Sequence, residues 1–247
     1  GPYGTMFLAD MGAEVIRVES VNICPTTTRG QSARPSKEIA ERLAWSFPDR
    51  DPGERPWNRA TIFNIHGRNK YSMTLDVNTP EGKDIFRRLV QISDLFIQNN
   101  GVGSMERLGL TYDVVREWNP RITMISSTGC GQTGPWNTYR GTGGHFESFY
   151  GHSSVIGYPD MDVDGIPATV ASDATTGVTI ALAALMSLVN RERTGEGVFV
   201  DIAMGENFLP HLGELAMDYT INGRSASSLG NRDLHLVQGC YPCDGDN

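Results

Sequence analysis

Apolar residues fall into two alternating rhythms along the first 200 positions. Ile85, Phe86, Leu89, Val90 and Ile92 line one face of a helix. Thr79-Pro80-Glu81 opens it with a capping residue, a proline at the first helical position and an early acid. Tyr3 to Met11 has the same helical spacing, and the β-branched run Val15-Ile16-Arg17-Val18 after it predicts a strand. Leu95-Phe96-Ile97, Ile122-Thr123-Met124-Ile125 and Val198 to Ile202 are further strands, and Ser72 to Leu75 is a candidate for another. Helices are expected at about Asp113 to Trp118, at Ala174 to Asn190, and from Met204 through Tyr219 to a stop at Gly223. Strand and helix alternate with short connections, which predicts an α/β fold with a mostly parallel sheet flanked by helices.

Two segments leave this rhythm. Residues 22 to 60 carry Pro, Arg, Asp and Gly around isolated Trp45, Phe47 and Trp57, with a short helix expected from Glu38 to Trp45. The helix from Ala174 to Asn190 is apolar nearly all round, so burial on most sides is expected. Ser225-Ala226-Ser227-Ser228-Leu229-Gly230 reads as a linker, which sets a large domain over residues 1–224 and the start of a smaller one over 225–247. The chain opens at Gly1-Pro2 without Met and stops in the turn-like Asp244-Gly245-Asp246-Asn247, so both ends read as cut.

The formal charge is -8 over 247 residues, which argues against a sequence-independent grip on nucleic acid or an anionic membrane. An anionic ligand would need a local basic pocket. No stretch is read as a span of about 20 apolar residues, and the cytoplasm is the default compartment. Four cysteines are too few and too scattered for a disulfide framework, and Cys240-Tyr241-Pro242-Cys243 lacks the second ligand pair of a zinc site, so no metal is expected.

Asp173, in Val170-Ala171-Ser172-Asp173-Ala174-Thr175-Thr176-Gly177, sits where a small-residue loop enters the long apolar helix. It is a helix cap or a nucleophile. Gly129-Cys130-Gly131-Gln132-Thr133-Gly134 follows a strand and matches the dinucleotide fingerprint, but Pro135-Trp136-Asn137 and the glycines after it continue as loop where that fingerprint needs a helix. The same loop suits close approach of backbone amides, at Gly129, Gly131 and Gln132, to a ligand carbonyl or sulfur. His66-Gly67-Arg68-Asn69-Lys70 can neutralise a phosphate or be a solvated charge run, and Arg17, Arg29 and Arg107 invite the same two readings. His145 and His152 flank the stretch that holds Glu147, and a His beside a Glu in a loop suggests an acid/base pair; packing is the other reading. Phe146, Phe149 and Tyr150 suit a bulky apolar group or a packed core equally.

Taken together, Gly1-Pro2, Leu8 through Glu19, Arg68 through Asp76, Thr79-Pro80-Glu81-Gly82, Met105 through Leu110, Gly129 through Pro135 and Arg191 through Gly195 resemble the class III CoA-transferases. The likeness covers nearly the whole chain. It implies a Rossmann-like large domain, an interlocked homodimer, and transfer of CoA from an acyl-CoA donor, succinyl-CoA being one it suggests, to a carboxylic acid. It further implies Asp173 as nucleophile through an aspartyl-CoA thioester, and Arg68, Lys70, Asn99, Arg107 and Arg29 as the CoA site, with no tightly bound cofactor. The chain departs from the family at Gln98 through Gly103, which lacks an aromatic and an Arg after Asn99, and at Gly141 through Gly151 near the acyl group. Racemases of this fold use a His where this chain has Thr142, which favours transfer over an α-methylacyl-CoA racemase. A non-catalytic CoA-binding protein of the same fold is the further alternative.

Overall fold

The computed structural model describes residues 1–20, 22–25, 29–30, 32–166, 169–233 and 235–245. The expected alternation is present. Helix α1 (Pro2–Asp10) leads into β1 (Val15–Glu19), and α2 (Lys37–Arg42), α3 (Pro56–Arg59) and α4 (Thr61–Gly67) precede β2 (Lys70–Thr74). Next come α5 (Pro80–Ile92), β3 (Leu95–Gln98), α6 (Ser104–Leu108), α7 (Tyr112–Trp118) and β4 (Thr123–Thr128). The chain continues through α8 (Gly143–Phe149), α9 (Ala171–Thr194), β5 (Phe199–Ala203), α10 (Met204–Phe208) and α11 (Gly213–Asn222).

The strands form two sheets rather than one. β1 and β2 pair in parallel from Val15 opposite Lys70 to Glu19 opposite Thr74. β3, β4 and β5 form the second sheet in that order, with β3 and β4 parallel from Leu95 opposite Thr123. Every residue of β4 is buried, as expected for a central strand covered on both faces.

The chain divides into two compact units, one of residues 1–127 and 177–202, the other of 128–176 and 203–247. The boundary expected near residue 225 falls inside the second. Within the first, Leu75, Phe86, Val90, Met105, Val115 and Met124 share one core, and Leu8, Ile125, Ile180, Ala181, Ala184 and Ile202 share another. The Thr79 hydroxyl accepts the Gly82 N–H at 3.0 Å, so the signal read from Thr79-Pro80-Glu81 starts α5 where expected.

Two expectations change. Helix α9, 24 residues long, is buried on one side only: Ile180 and Ala184 are buried, while Leu182 is 56% and Met186 64% exposed. An all-apolar composition cannot say which sides find partners. By length and composition the same helix is long enough to cross a membrane, a property it shares with core helices of globular proteins. The segment after Gly141, expected as loop, turns into α8. Thr142 caps it reciprocally: its side chain meets the His145 backbone, while its own N–H donates to His145 Nδ1 at 3.1 Å. Phe146 anchors the helix so closely on Gly129 that a Cβ there would lie 1.9 Å from the ring.

Candidate functional site

In the second unit, Asp173 is the third residue of α9, past the capping position proposed for it from the sequence. Its carboxylate accepts the backbone N–H of Gly143, the first residue of α8. The approach leaves no room for a side chain, because a Cβ on Gly143 would stand 2.1 Å from Asp173 Oδ2. Asp173 keeps an exposed edge, yet the protein around it withholds enough solvent to raise its carboxyl above the usual range. The Gly143 hydrogen bond opposes that rise, and the charge of Glu147 adds to it.

Glu147 lies one turn further along α8 and is only 2% exposed. Its Oε1 accepts the Ser172 N–H at 2.9 Å, and its Oε2 takes the Thr169 hydroxyl and meets His152 Nδ1 at 2.9 Å. Burial works to raise its carboxyl, but these hydrogen bonds outweigh burial and hold it below the usual range. Of the two histidines weighed beside Glu147, His152 is the one that meets it, and His145 is spent on capping α8 through Thr142. His152 also packs edge-on against Phe208, with ring centroids 5.1 Å apart. The Ser172 side chain is completely buried beside Asp173. Gly143, Thr169 and Ser172 escaped the sequence reading; the Thr142-x-x-His145 spacing was the available signal for a helix start.

The loop after β4 carries Gly131 and Gly134 in left-handed conformations, at φ of 82° and 92°. Gly129 O accepts the Gly205 N–H at 3.0 Å, and Gln132 O accepts from Asn137 Nδ2 at 3.0 Å. A pocket of about 250 Å³ beside this loop is lined by Cys130, Pro135, Trp136, Tyr150, Glu206 and Leu209. The Tyr150 hydroxyl is pushed up to about 12 by burial and by Cys130. Trp136 and Tyr150 each pack edge-on against Phe149, at 5.1 and 5.3 Å.

The cationic candidates belong to the first unit. Half-buried Lys70 donates to Pro2 O and Thr5 Oγ1, both at 2.8 Å. Burial first, and then the nearby charge of Arg17, push it down to about 8, with Asp10 opposing. Arg68 grips Asp10 with Nε at 2.9 Å and Nη2 at 2.6 Å, and Asn69, at φ 58°, reaches the same carboxylate. Arg107 is exposed on α6 and bonds Ser104 Oγ at 2.9 Å. Asn99 is exposed just past β3, its amide against Gly1. Arg29 is the most engaged of the five: it bridges Glu19, donates to Asn58 Oδ1 at 2.9 Å and stacks 3.8 Å over Phe63. Among the described residues, no three His, Cys, Asp or Glu side chains gather as metal ligands.

A family model described as CoA-transferase family III matches residues 1–247. The chain is 32% identical over 232 residues to a succinyl-CoA–D-citramalate CoA-transferase of Chloroflexus aurantiacus, covering 94% of this chain and 52% of that protein. It is 32% identical over 231 residues to a succinate–glutarate CoA-transferase of Agrobacterium fabrum, covering 94% and 54%. Among solved structures, a CAIB/BAIF family protein from Brucella suis superposes with a TM-score of 0.77 at 30% identity, covering 93% of this chain and 56% of that one. The chain thus spans about half the length of the curated relatives it matches.

Proposed function

The chain belongs to CoA-transferase family III, and from that premise we propose that the protein moves CoA from an acyl-CoA donor to a carboxylic acid through a covalent intermediate on Asp173. The observation that carries this reading is the setting of Asp173: an aspartate raised by burial, held by the Gly143 N–H, and still exposed along one edge. A more basic carboxylate is a better nucleophile once it is ionised.

An Asp173 oxygen attacks the donor thioester carbon, the C–S bond breaks, and CoA leaves as thiolate, giving a mixed anhydride. The thiolate then attacks the Asp173 carbonyl carbon and expels the donor acid, giving an aspartyl-CoA thioester. The acceptor carboxylate attacks that thioester and releases CoA thiolate, which attacks the acceptor's acyl carbon and frees Asp173. No water is consumed, so the thioester's free energy passes to the product, and no resident cofactor is required. Gly129, Gly131 and Gln132 offer backbone amides to the developing oxyanion. Arg68, Lys70, Asn99 and Arg107 hold the nucleotide part of CoA, and Arg29 joins them.

Succinyl-CoA is the first donor to try, because the relatives named for succinyl-CoA or succinate are among those most similar. The pocket beside the glycine loop carries aromatic rings and Glu206 and no cation among its described lining, which makes an acyl-CoA with an apolar acyl group the second donor to try. The same reading makes the protein a cytoplasmic homodimer whose partners are acyl-CoA and an organic acid.

The test is mass spectrometry of the full-length protein incubated with a panel of acyl-CoAs and trapped with hydroxylamine. A mass change on the Asp173 peptide, absent in Asp173→Ala, is the expected result. No adduct with any donor, together with deuterium wash-in at the α-carbon of a branched acyl-CoA, would overturn it in favour of racemisation; neither signal would leave a CoA-binding protein.

A further inference from the structure

We propose that Glu147 is a positioning residue for Asp173, acting through the Ser172 backbone and itself held by His152 and Thr169. The inference rests on Asp173 being the nucleophile and goes beyond it, because Glu147 spends its oxygens on Ser172, Thr169 and His152 and not on the reacting carboxylate.

The argument begins with a helix terminus. Ser172 is the second residue of α9, so its N–H is one of the first-turn donors that the helix itself leaves unpaired. Glu147 Oε1 takes that N–H at 2.9 Å. Four residues earlier on α8, Gly143 gives its own N–H to the Asp173 carboxylate. Residues i and i+4 lie on one face of a helix, so a single face of α8 holds two consecutive residues of α9, one through an acceptor and one through a donor. Shifting either helix along its axis breaks both contacts. The orientation of the Asp173 carboxylate is therefore set by α8 as much as by its own helix.

A buried carboxylate is retained at such a place only if its oxygens are satisfied. Glu147 meets that condition: the second oxygen takes the Thr169 hydroxyl and faces His152 Nδ1 at 2.9 Å. His152 is in turn fixed by its edge-on contact with Phe208. A salt bridge serving stability alone would not need to spend one oxygen on the backbone N–H next to a nucleophile. The negative charge of Glu147 also bears on Asp173, since it disfavours a second carboxylate nearby. Glu147 thus acts on Asp173 in two ways, by geometry and by charge.

Two readouts on the full-length protein separate this inference from the transfer reading. Carboxyl footprinting with a carbodiimide and a glycine ester reports Asp173 whether or not CoA is transferred. In Glu147→Gln the midpoint of Asp173 labelling shifts to lower pH, and an unmoved midpoint overturns the charge coupling. In the transfer assay, Glu147→Leu lowers kcat about 100-fold with KM for acyl-CoA within about threefold, as expected for a reacting group displaced by roughly 1 Å. Glu147→Gln, which keeps an oxygen for Ser172, recovers at least tenfold of that loss. Wild-type kcat in Glu147→Leu, or a loss that only tracks the folded fraction, overturns the positioning role. Should Glu147→Leu fail to fold, His152→Gln decides: a kcat about tenfold lower at unchanged KM supports the inference, and unchanged kcat refutes it. A wild-type protein that forms no Asp173 adduct but shows the footprinting shift would sink the transfer reading and leave the coupling standing.

Discussion

Replacing Gly143 by alanine tests the geometry of the site with a single methyl group. The backbone at Gly143 is not in the left-handed region, so conformation does not forbid the change and space alone decides. The new Cβ would stand 2.1 Å from Asp173 Oδ2, 2.7 Å from its Cγ and 2.9 Å from Ser172 Oγ. Ordinary van der Waals contact needs roughly 3.5 Å, so the carboxylate has to retreat by more than about 1 Å. Retreat also breaks the hydrogen bond from the Gly143 N–H, and a hydrogen bond to a charged group contributes about 1.5–3 kcal/mol. A misplacement of about 1 Å at a reacting group costs on the order of 100-fold in rate. Gly143→Ala is therefore expected to slow formation of the Asp173 adduct by about two orders of magnitude, read by quenched-flow mass spectrometry with a saturating acyl-CoA. Gly144→Ala is the matched control: its Cβ meets only Thr169 O, at 3.3 Å, and alanine favours the helix by about 1 kcal/mol. It should keep most of the rate. Equal rates for Gly143→Ala and wild type would refute the contact between α8 and Asp173, and equal losses in both variants would show that the glycines matter for helix folding instead.

Two further outcomes follow from the charges. Asp173 has a raised carboxyl, so the folded protein holds its proton more tightly than the unfolded chain, and the ionised form costs stability once pH climbs through the raised value. Asp173→Asn should abolish transfer while leaving Tm at pH 7 equal to or above wild type; a lower Tm would show that the carboxylate is there to cap the helix. Lys70, pushed down to about 8, loses its proton just above neutrality, so CoA affinity by isothermal titration calorimetry should fall between pH 7 and 9. Lys70→Met should weaken CoA binding by about tenfold at pH 7 and flatten that pH dependence, and an unchanged Kd would remove Lys70 from the phosphate site.

Much of the frame was legible in the pattern of residues. Thr79-Pro80-Glu81 started α5, Val15 to Val18 formed a strand, and Gly223 stopped α11 in the left-handed conformation expected of a terminal glycine. These are local signals, decided within a few residues by capping, torsion and period. Asp173 was legible too, as a carboxylate entering a long apolar helix, although whether it capped that helix was not. What the chain could not declare by itself was partnership over distance. The glycines from Gly141 to Gly144 read as loop because glycine disfavours helix, yet the Phe146 ring on Gly129 and the Thr142–His145 cap hold α8 together. Glu147 had two candidate partners in the sequence, His145 and His152; residues two apart on a helix point to different sides, and the turn after α8 returned His152 to it. Helix α9 read as buried on most sides because hydrophobicity records a tendency to leave water and not the direction of a neighbour. Period, the Thr79 cap and charge were settled by the sequence alone; which donor meets which acceptor was settled only when tertiary packing brought α8 against the first turn of α9.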